Sequence, residues 1–98
     1  MNPEEKQLSL YESVFVGRQD LSTNQVSGII ESLIDLVKKN SGSIEKKEYC
    51  GLRPLAYPIK KNRKGHYVII SIDTKGNNNV INEINQFLLI NEDIIRSI

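Results

Sequence analysis

Lys60-Lys61-Asn62-Arg63-Lys64-Gly65-His66-Tyr67-Val68-Ile69-Ile70-Ser71-Ile72-Asp73 is the stretch on which the fold turns. Its first six residues read as a charged turn, and the next eight alternate. His66, Val68, Ile70 and Ile72 fall on one side of an extended chain, with Tyr67, Ile69, Ser71 and Asp73 on the other. The first set is more apolar at its far end and is expected to face the core. Before the turn, Ser43 to Ile59 is also extended, but interrupted. Gly51 suggests a bulge, and Pro54 and Pro58 each lack a ladder donor, which confines this strand to an edge or to irregular pairing.

A helix flanks this hairpin on each side. Ser22-Thr23-Asn24-Gln25 fits a capping box, and Val26, Ile29, Ile30, Leu33 and Val37 then recur on one helical face. Lys38 and Lys39 suit the negative end of the helix dipole, and Asn40-Ser41-Gly42 supplies the stop. After Gly76-Asn77-Asn78-Asn79, helical spacing returns in Val80, Ile81, Ile84, Phe87 and Leu88. Residues 8–16 read as a first strand rich in aromatic and β-branched types, and 94–98 as a short last one. The order β-α-β-β-α-β predicts an α+β, ferredoxin-like sandwich: a four-stranded antiparallel sheet with two helices on one face and the other face open.

With 98 residues and 11.1 kDa, the chain is expected to be a single domain, residues 1–98, with 1–9 a flexible leader and a radius of gyration near ~13 Å. Its 39% hydrophobic and 26% charged residues exclude disorder and collagen-like structure. One cysteine, Cys50, rules out an internal disulfide framework, and with His66 alone beside it a four-ligand zinc site is out of reach. Nothing resembles a signal peptide or a membrane-spanning run, so a soluble, cytoplasmic chain is expected.

The net charge of +1 hides a segregation. Lys38 to Lys64 contains nine basic residues against Glu45 and Glu48, a local charge of +7, and the remainder carries −6. A basic middle opposite an acidic remainder suits a polyanion-facing patch, although lysines also protect a sheet edge from unwanted pairing.

Enzymatic chemistry finds little support. With a turn centred near Asn62, Cys50 would stand opposite about Thr74 and lie roughly 27 Å along the strand from His66, too far for a nucleophile–base pair. Glu45 and Glu48 face opposite sides of a regular strand, and no P-loop, GxGxxG or HExxH is present. Acylphosphatases share the fold but need a phosphate-loop arginine, of which Gly17-Arg18-Gln19-Asp20 is a weak echo. Base stacking on the open face is equally unsupported, because Tyr67 is the only aromatic there on the third strand. That face, with Val14, Val16, Tyr67 and Ile69, is moderately apolar and points to a protein partner.

The most specific signal is Gly51-Leu52-Arg53-Pro54-Leu55-Ala56-Tyr57-Pro58-Ile59-Lys60-Lys61, followed by Lys64-Gly65-His66-Tyr67. It resembles the bacterial small-subunit ribosomal protein six family, whose signature runs Gly-x-Arg-x-Leu-Ala-Tyr-x-Ile-x-Lys. Tyr11-Glu12 and Asn91-Glu92-Asp93-Ile94-Ile95-Arg96-Ser97 resemble its opening and its last strand, so the match spans roughly residues 10–98. Pro54 departs from the family, which often has a polar residue there.

The resemblance implies a non-enzymatic structural component of the small ribosomal subunit. It would use no cofactor, metal or small-molecule substrate. It would bind the central domain of small-subunit ribosomal RNA together with small-subunit ribosomal protein eighteen. Arg53, Lys60, Lys61, Arg63, Lys64 and Arg96 become expected phosphate contacts, and Tyr11 and Tyr57 aromatic contacts to ribose or to the partner. A different class remains open: a regulatory or protein-interaction module of the same fold, acting as a homodimer through its open sheets.

Overall fold

The computed structural model describes residues 10–97, so the expected leader at 1–9 lies outside the described residues. The elements are β1 (Leu10–Arg18), α1 (Thr23–Lys39), β2 (Ser43–Ile59), β3 (Asn62–Asp73), α2 (Asn79–Ile90) and β4 (Ile94–Ser97). The strands form one antiparallel sheet in the order β2-β3-β1-β4. This is the α+β, ferredoxin-like βαββαβ sandwich. The Cα radius of gyration is 14.1 Å and the longest extent 47 Å. A 17-residue β2 accounts for the excess over a sphere-like chain.

Local chemistry sets the bounds of α1. Ser22 Oγ accepts from the Gln25 amide at 3.1 Å, and Gln25 Oε1 accepts from the Ser22 amide at 2.8 Å, which completes the capping box. At the other end the Ser41 and Gly42 amides donate to the Lys38 and Val37 carbonyls, a Schellman closure. The left-handed residue is Ser41 (φ 68°), not Gly42. Gly42 suits its position for a different reason, since a Cβ there would crowd Val37 Cγ1 at 3.0 Å and the Asp73 carbonyl at 3.1 Å. In α2 the expected apolar face forms, with Val80, Ile84 and Leu88 buried.

The helix-side core joins Phe15, Val26, Leu33, Val37, Val68, Ile70, Ile72 and Ile84, all at or near zero exposure. His66 shares that face, as its alternation with Val68 and Ile70 predicts. Its Nδ1 lies 2.7 Å from Tyr49 Oη, and its buried Nε2 has no hydrogen-bond partner among the described residues. The tautomer with the proton on Nδ1, donating to Tyr49, is favoured, because it leaves a lone pair rather than an N–H unsatisfied and frees the half-exposed phenol to donate to water.

Two features of the central hairpin differ from the sequence reading. The turn is the two residues Lys60 and Lys61, and Asn62 already pairs with Ile59 as the start of β3. Lys60 (φ 47°) and Lys61 (φ 67°) are both left-handed, which a two-residue type I′ hairpin requires. Asn62 offsets that strain, donating from Nδ2 to the carbonyls of Ile59 (3.2 Å) and Lys60 (3.1 Å). The second difference is the β2 register, which shifts at Ile44/Lys46, Tyr49/Gly51 and Pro54/Ile59. These shifts bring Gly51 opposite Tyr67, so the expected separation of roughly 27 Å between Cys50 and His66 is wrong. The two are kept apart by facing instead: Cys50 borders a hollow with Tyr67 on the open side, while His66 is buried on the helix side.

Candidate nucleic-acid interface

The free end of the β2–β3 hairpin carries the candidate site. Arg53, Lys60, Lys61, Arg63 and Lys64 are exposed there within a few residues of the turn. Gln19, just past β1, anchors this end. Its amide donates to Asn62 Oδ1 at 2.9 Å, and its Oε1 accepts from the Arg63 and Lys64 amides at 3.2 and 3.3 Å. Gln19 and Asn62 were missed as site-building residues. An asparagine beside a two-lysine turn is the signal that could have found one of them, since asparagine satisfies turn backbone with its side chain.

Charge pairing separates this end from the two lysines further along β2, Lys46 and Lys47. Lys46 pairs with Glu48 at 3.9 Å and Lys47 with Glu31 at 3.7 Å, whereas the five cations near the turn have no carboxylate within salt-bridge distance among the described residues. Arg53 donates from Nε to the Cys50 carbonyl at 2.9 Å, which leaves its outer fork free. Five cations without carboxylate partners among the described residues, spread over one hairpin end, suit a surface of spaced anions better than a single small one.

Arg18 is the opposite case. Its side chain bonds Asp93 (2.8 Å) and Asp20, and its amide donates to the Asp93 carbonyl at 2.8 Å, which ties the end of β1 to the entry of β4. Hydrogen bonding to Asp93, then to Asp20, raises the guanidinium pKa, and the bond to Arg18 lowers that of the Asp20 carboxyl. An arginine held by two carboxylates is a poor phosphate ligand, so the weak acylphosphatase echo finds no chemistry here.

Arg96 joins the basic end. On β4 it stands opposite Val16, and its Nη1 donates to Tyr57 Oη at 3.1 Å, with the guanidinium carbon 6.0 Å from the ring centroid. Tyr57 is 57% exposed, so it belongs to the surface of the site and not to a core. Tyr11 does not join them. It pairs with Ile72 at the far end of β1 and packs, half-buried, against the helix-side core.

The open sheet face carries Val14, Tyr67 and Ile69, all half-buried. A hollow of about 400 Å³ lined by Cys50, Arg53, Pro54 and Tyr67 continues it towards the basic end. Val16 needs a correction. Its register places it on this face opposite Tyr67, yet its exposure is 0%. The space a Gly65 side chain would occupy is filled by Val16 Cγ1, with Ile95 Cδ1 close by, so Val16 is packed inward and has no surface to offer a partner.

No helix among the described residues is long and apolar enough to cross a membrane. Among those residues no group of three or more His, Cys, Asp or Glu could hold a metal ion.

Comparison with known proteins bears on the family and the fold. The ribosomal protein S6 family profile matches residues 10–98. Small ribosomal subunit protein bS6 of Paramagnetospirillum magneticum is 47% identical over 91 residues, covering 93% of this chain and 62% of its own length. The protein of the same name from Rickettsia felis is 47% identical over 89 residues, covering 91% and 72%. The chain thus spans between about half and three quarters of the length of such relatives, 54% for that of Gluconobacter oxydans. The crystal structure of 30S ribosomal protein S6 from Thermotoga maritima superposes with a TM-score of 0.81 at 28% identity, over 92% of this chain and 83% of that one. With the family profile spanning the whole described fold and near-half identity along nine tenths of the sequence, the chain belongs to the ribosomal protein S6 (bS6) family.

Proposed function

We propose that this chain is a structural, non-enzymatic component of the small ribosomal subunit in the cytoplasm. Its hairpin end binds the central domain of small-subunit ribosomal RNA, and its open sheet face seats small-subunit ribosomal protein eighteen. The observation that carries the RNA half is the contrast in pairing. Lys46, Lys47 and Arg18 have carboxylate partners, whereas Arg53, Lys60, Lys61, Arg63 and Lys64 have none among the described residues and share one end of the hairpin. Phosphates are the natural counter-charges for such a row, and contacts of this kind position a protein without reading bases.

The partner half rests on Val14, Tyr67 and Ile69, a modest apolar strip continuous with the hollow beside Arg53. A net charge of +1 implies weak binding to RNA alone and stronger binding once the partner is seated.

The test is a salt series of binding to a central-domain transcript, with and without the partner protein. Changing Lys60, Lys61, Arg63 and Lys64 to Gln should reduce the slope of log affinity against log salt by up to ~0.7–0.9 per lost phosphate contact. An unchanged slope would remove the hairpin from the interface. Ile69→Asp should weaken the partner's binding while leaving the RNA slope alone. A concentration-dependent dimer with negligible RNA affinity would favour the homodimeric module instead.

A further inference from the structure

We infer that Tyr57 is a positioning residue for Arg96, the two forming a clasp that presents one guanidinium fork to an RNA phosphate. This rests on the proposed RNA-binding function and names a part of its machinery. Three observations bear on it. Arg96 Nη1 donates to Tyr57 Oη at 3.1 Å, so one of its five N–H donors is used by a neutral acceptor. Its guanidinium carbon, 6.0 Å from the ring centroid, lies at the outer limit of cation–ring attraction, so the hydroxyl and not the ring face supplies the hold. No carboxylate among the described residues pairs with Arg96, so among them its charge has no counter-charge while its orientation is restricted by Tyr57.

That combination differs from a free surface arginine and from a salt-bridged one. A free side chain loses rotamer freedom when it meets a phosphate, and a salt-bridged one must first leave its carboxylate. Arg96 bonded to a phenol has given up part of that freedom already and keeps its full charge, with the rest of the fork free for two anionic oxygens. Tyr57 and Arg96 are 39 residues apart in sequence, and the clasp joins the hairpin arm to the opposite edge strand. It therefore links Arg96 to the same hairpin arm that carries the turn lysines.

Tyr57→Phe, Arg96→Gln and the double variant, titrated with the central-domain transcript across salt, test the clasp. Tyr57→Phe keeps the ring of an exposed residue, so the fold should be unaffected, which unchanged thermal unfolding checks. Leaving the Arg96 side chain to be ordered only on binding should cost about threefold to tenfold in affinity. Arg96→Gln should cost at least as much and lower the salt slope by ~0.7–0.9. The double variant should bind no worse than Arg96→Gln alone, because Tyr57 acts only through Arg96.

Multiplying losses would show Tyr57 touching RNA itself and overturn the clasp. So would single variants that bind like the parent while the four-residue hairpin variant loses its slope, an outcome that leaves the broader RNA reading standing. If the hairpin variant also binds as the parent does, the RNA reading fails and the clasp with it.

Discussion

Gly65→Ala probes the packing that distinguishes the two faces of the sheet. Gly65 lies on the central strand β3, opposite Arg18 of β1 and Arg53 of β2. A Cβ built there would stand 2.2 Å from Val16 Cγ1, 3.2 Å from the Gly17 carbonyl oxygen and 3.7 Å from Ile95 Cδ1. Carbon atoms pack comfortably at about 3.5–4.0 Å. Val16 cannot yield easily, being fully buried and β-branched with a stiff χ1. Retreat of β1 is resisted by its ladder with β3 on one side and β4 on the other.

Overpacking of this kind costs about 1–3 kcal/mol. Reduced freedom of the unfolded chain returns about 0.4–1 kcal/mol. A net loss near ~1–2 kcal/mol should lower the melting temperature by about 5–15 °C for a domain of this size. Thermal and urea unfolding followed by circular dichroism measure it. Val16→Ala alone, losing two methyl-sized groups, should cost about 1.5 kcal/mol. In the double variant the vacated volume accepts the new Cβ, so the combined loss should fall short of the sum by about 1 kcal/mol or more. Unchanged stability in Gly65→Ala, or strict additivity in the double variant, would refute the claim that Val16 occupies the glycine's side-chain space.

Three further outcomes follow from local structure. Gly28 is exposed within α1 with nothing within 4 Å of a built Cβ, so Gly28→Ala should stabilise by about 0.5–1 kcal/mol in urea unfolding. Ser22→Ala removes one half of the capping box and should destabilise by about 1 kcal/mol in the same assay. The Asp20 carboxyl is held below its ordinary pKa, chiefly by its hydrogen bond to Arg18, so its contribution exists above the ordinary aspartate range and disappears as pH falls through the lowered folded value. The parent should therefore exceed Asp20→Asn in stability at pH 7, with the gap closing in acid. A gap that persists below both values would assign the effect to something other than this carboxylate.

What could be read from the chain divides by range of interaction. α1 is written locally: Ser22 and Gln25 are three residues apart, and its buried face repeats every turn, so both ends and the face were legible. The β3 alternation was legible for the same reason, and β1 pairs with it in unbroken register from Leu10/Asp73 to Arg18/Gly65. β2 was not. Three register shifts accumulate along it, and nothing local to Tyr49-Cys50-Gly51 says which partner each residue meets; even the positive φ of Gly51 (92°) marks only that a shift occurs. The hairpin's cations could be counted from sequence, but their lack of carboxylate partners among the described residues could not, because a pairing such as that of Lys47 with Glu31 is made between β2 and α1. Val16 was misjudged on similar grounds. Alternation assigns its face correctly, and only the missing side chain at Gly65 explains why it is buried there.

The last register shift is where local irregularity becomes a surface. Between the pairs Pro54/Lys64 and Ile59/Asn62, β2 spends five residue steps against two on β3, so Leu55 to Pro58 have no Cα partners. Pro54 and Pro58 bracket this segment, and neither has an amide proton to return to the ladder. A Tyr57 held in a regular ladder would be separated from β4 by three strand spacings, about 14 Å. Released from the ladder, it reaches Arg96 across the end of the open face. The prolines that made β2 look like a poor strand are thus the residues that let an edge segment meet the opposite edge. Their weakening of β-pairing and their contribution to the candidate RNA surface are one physical effect.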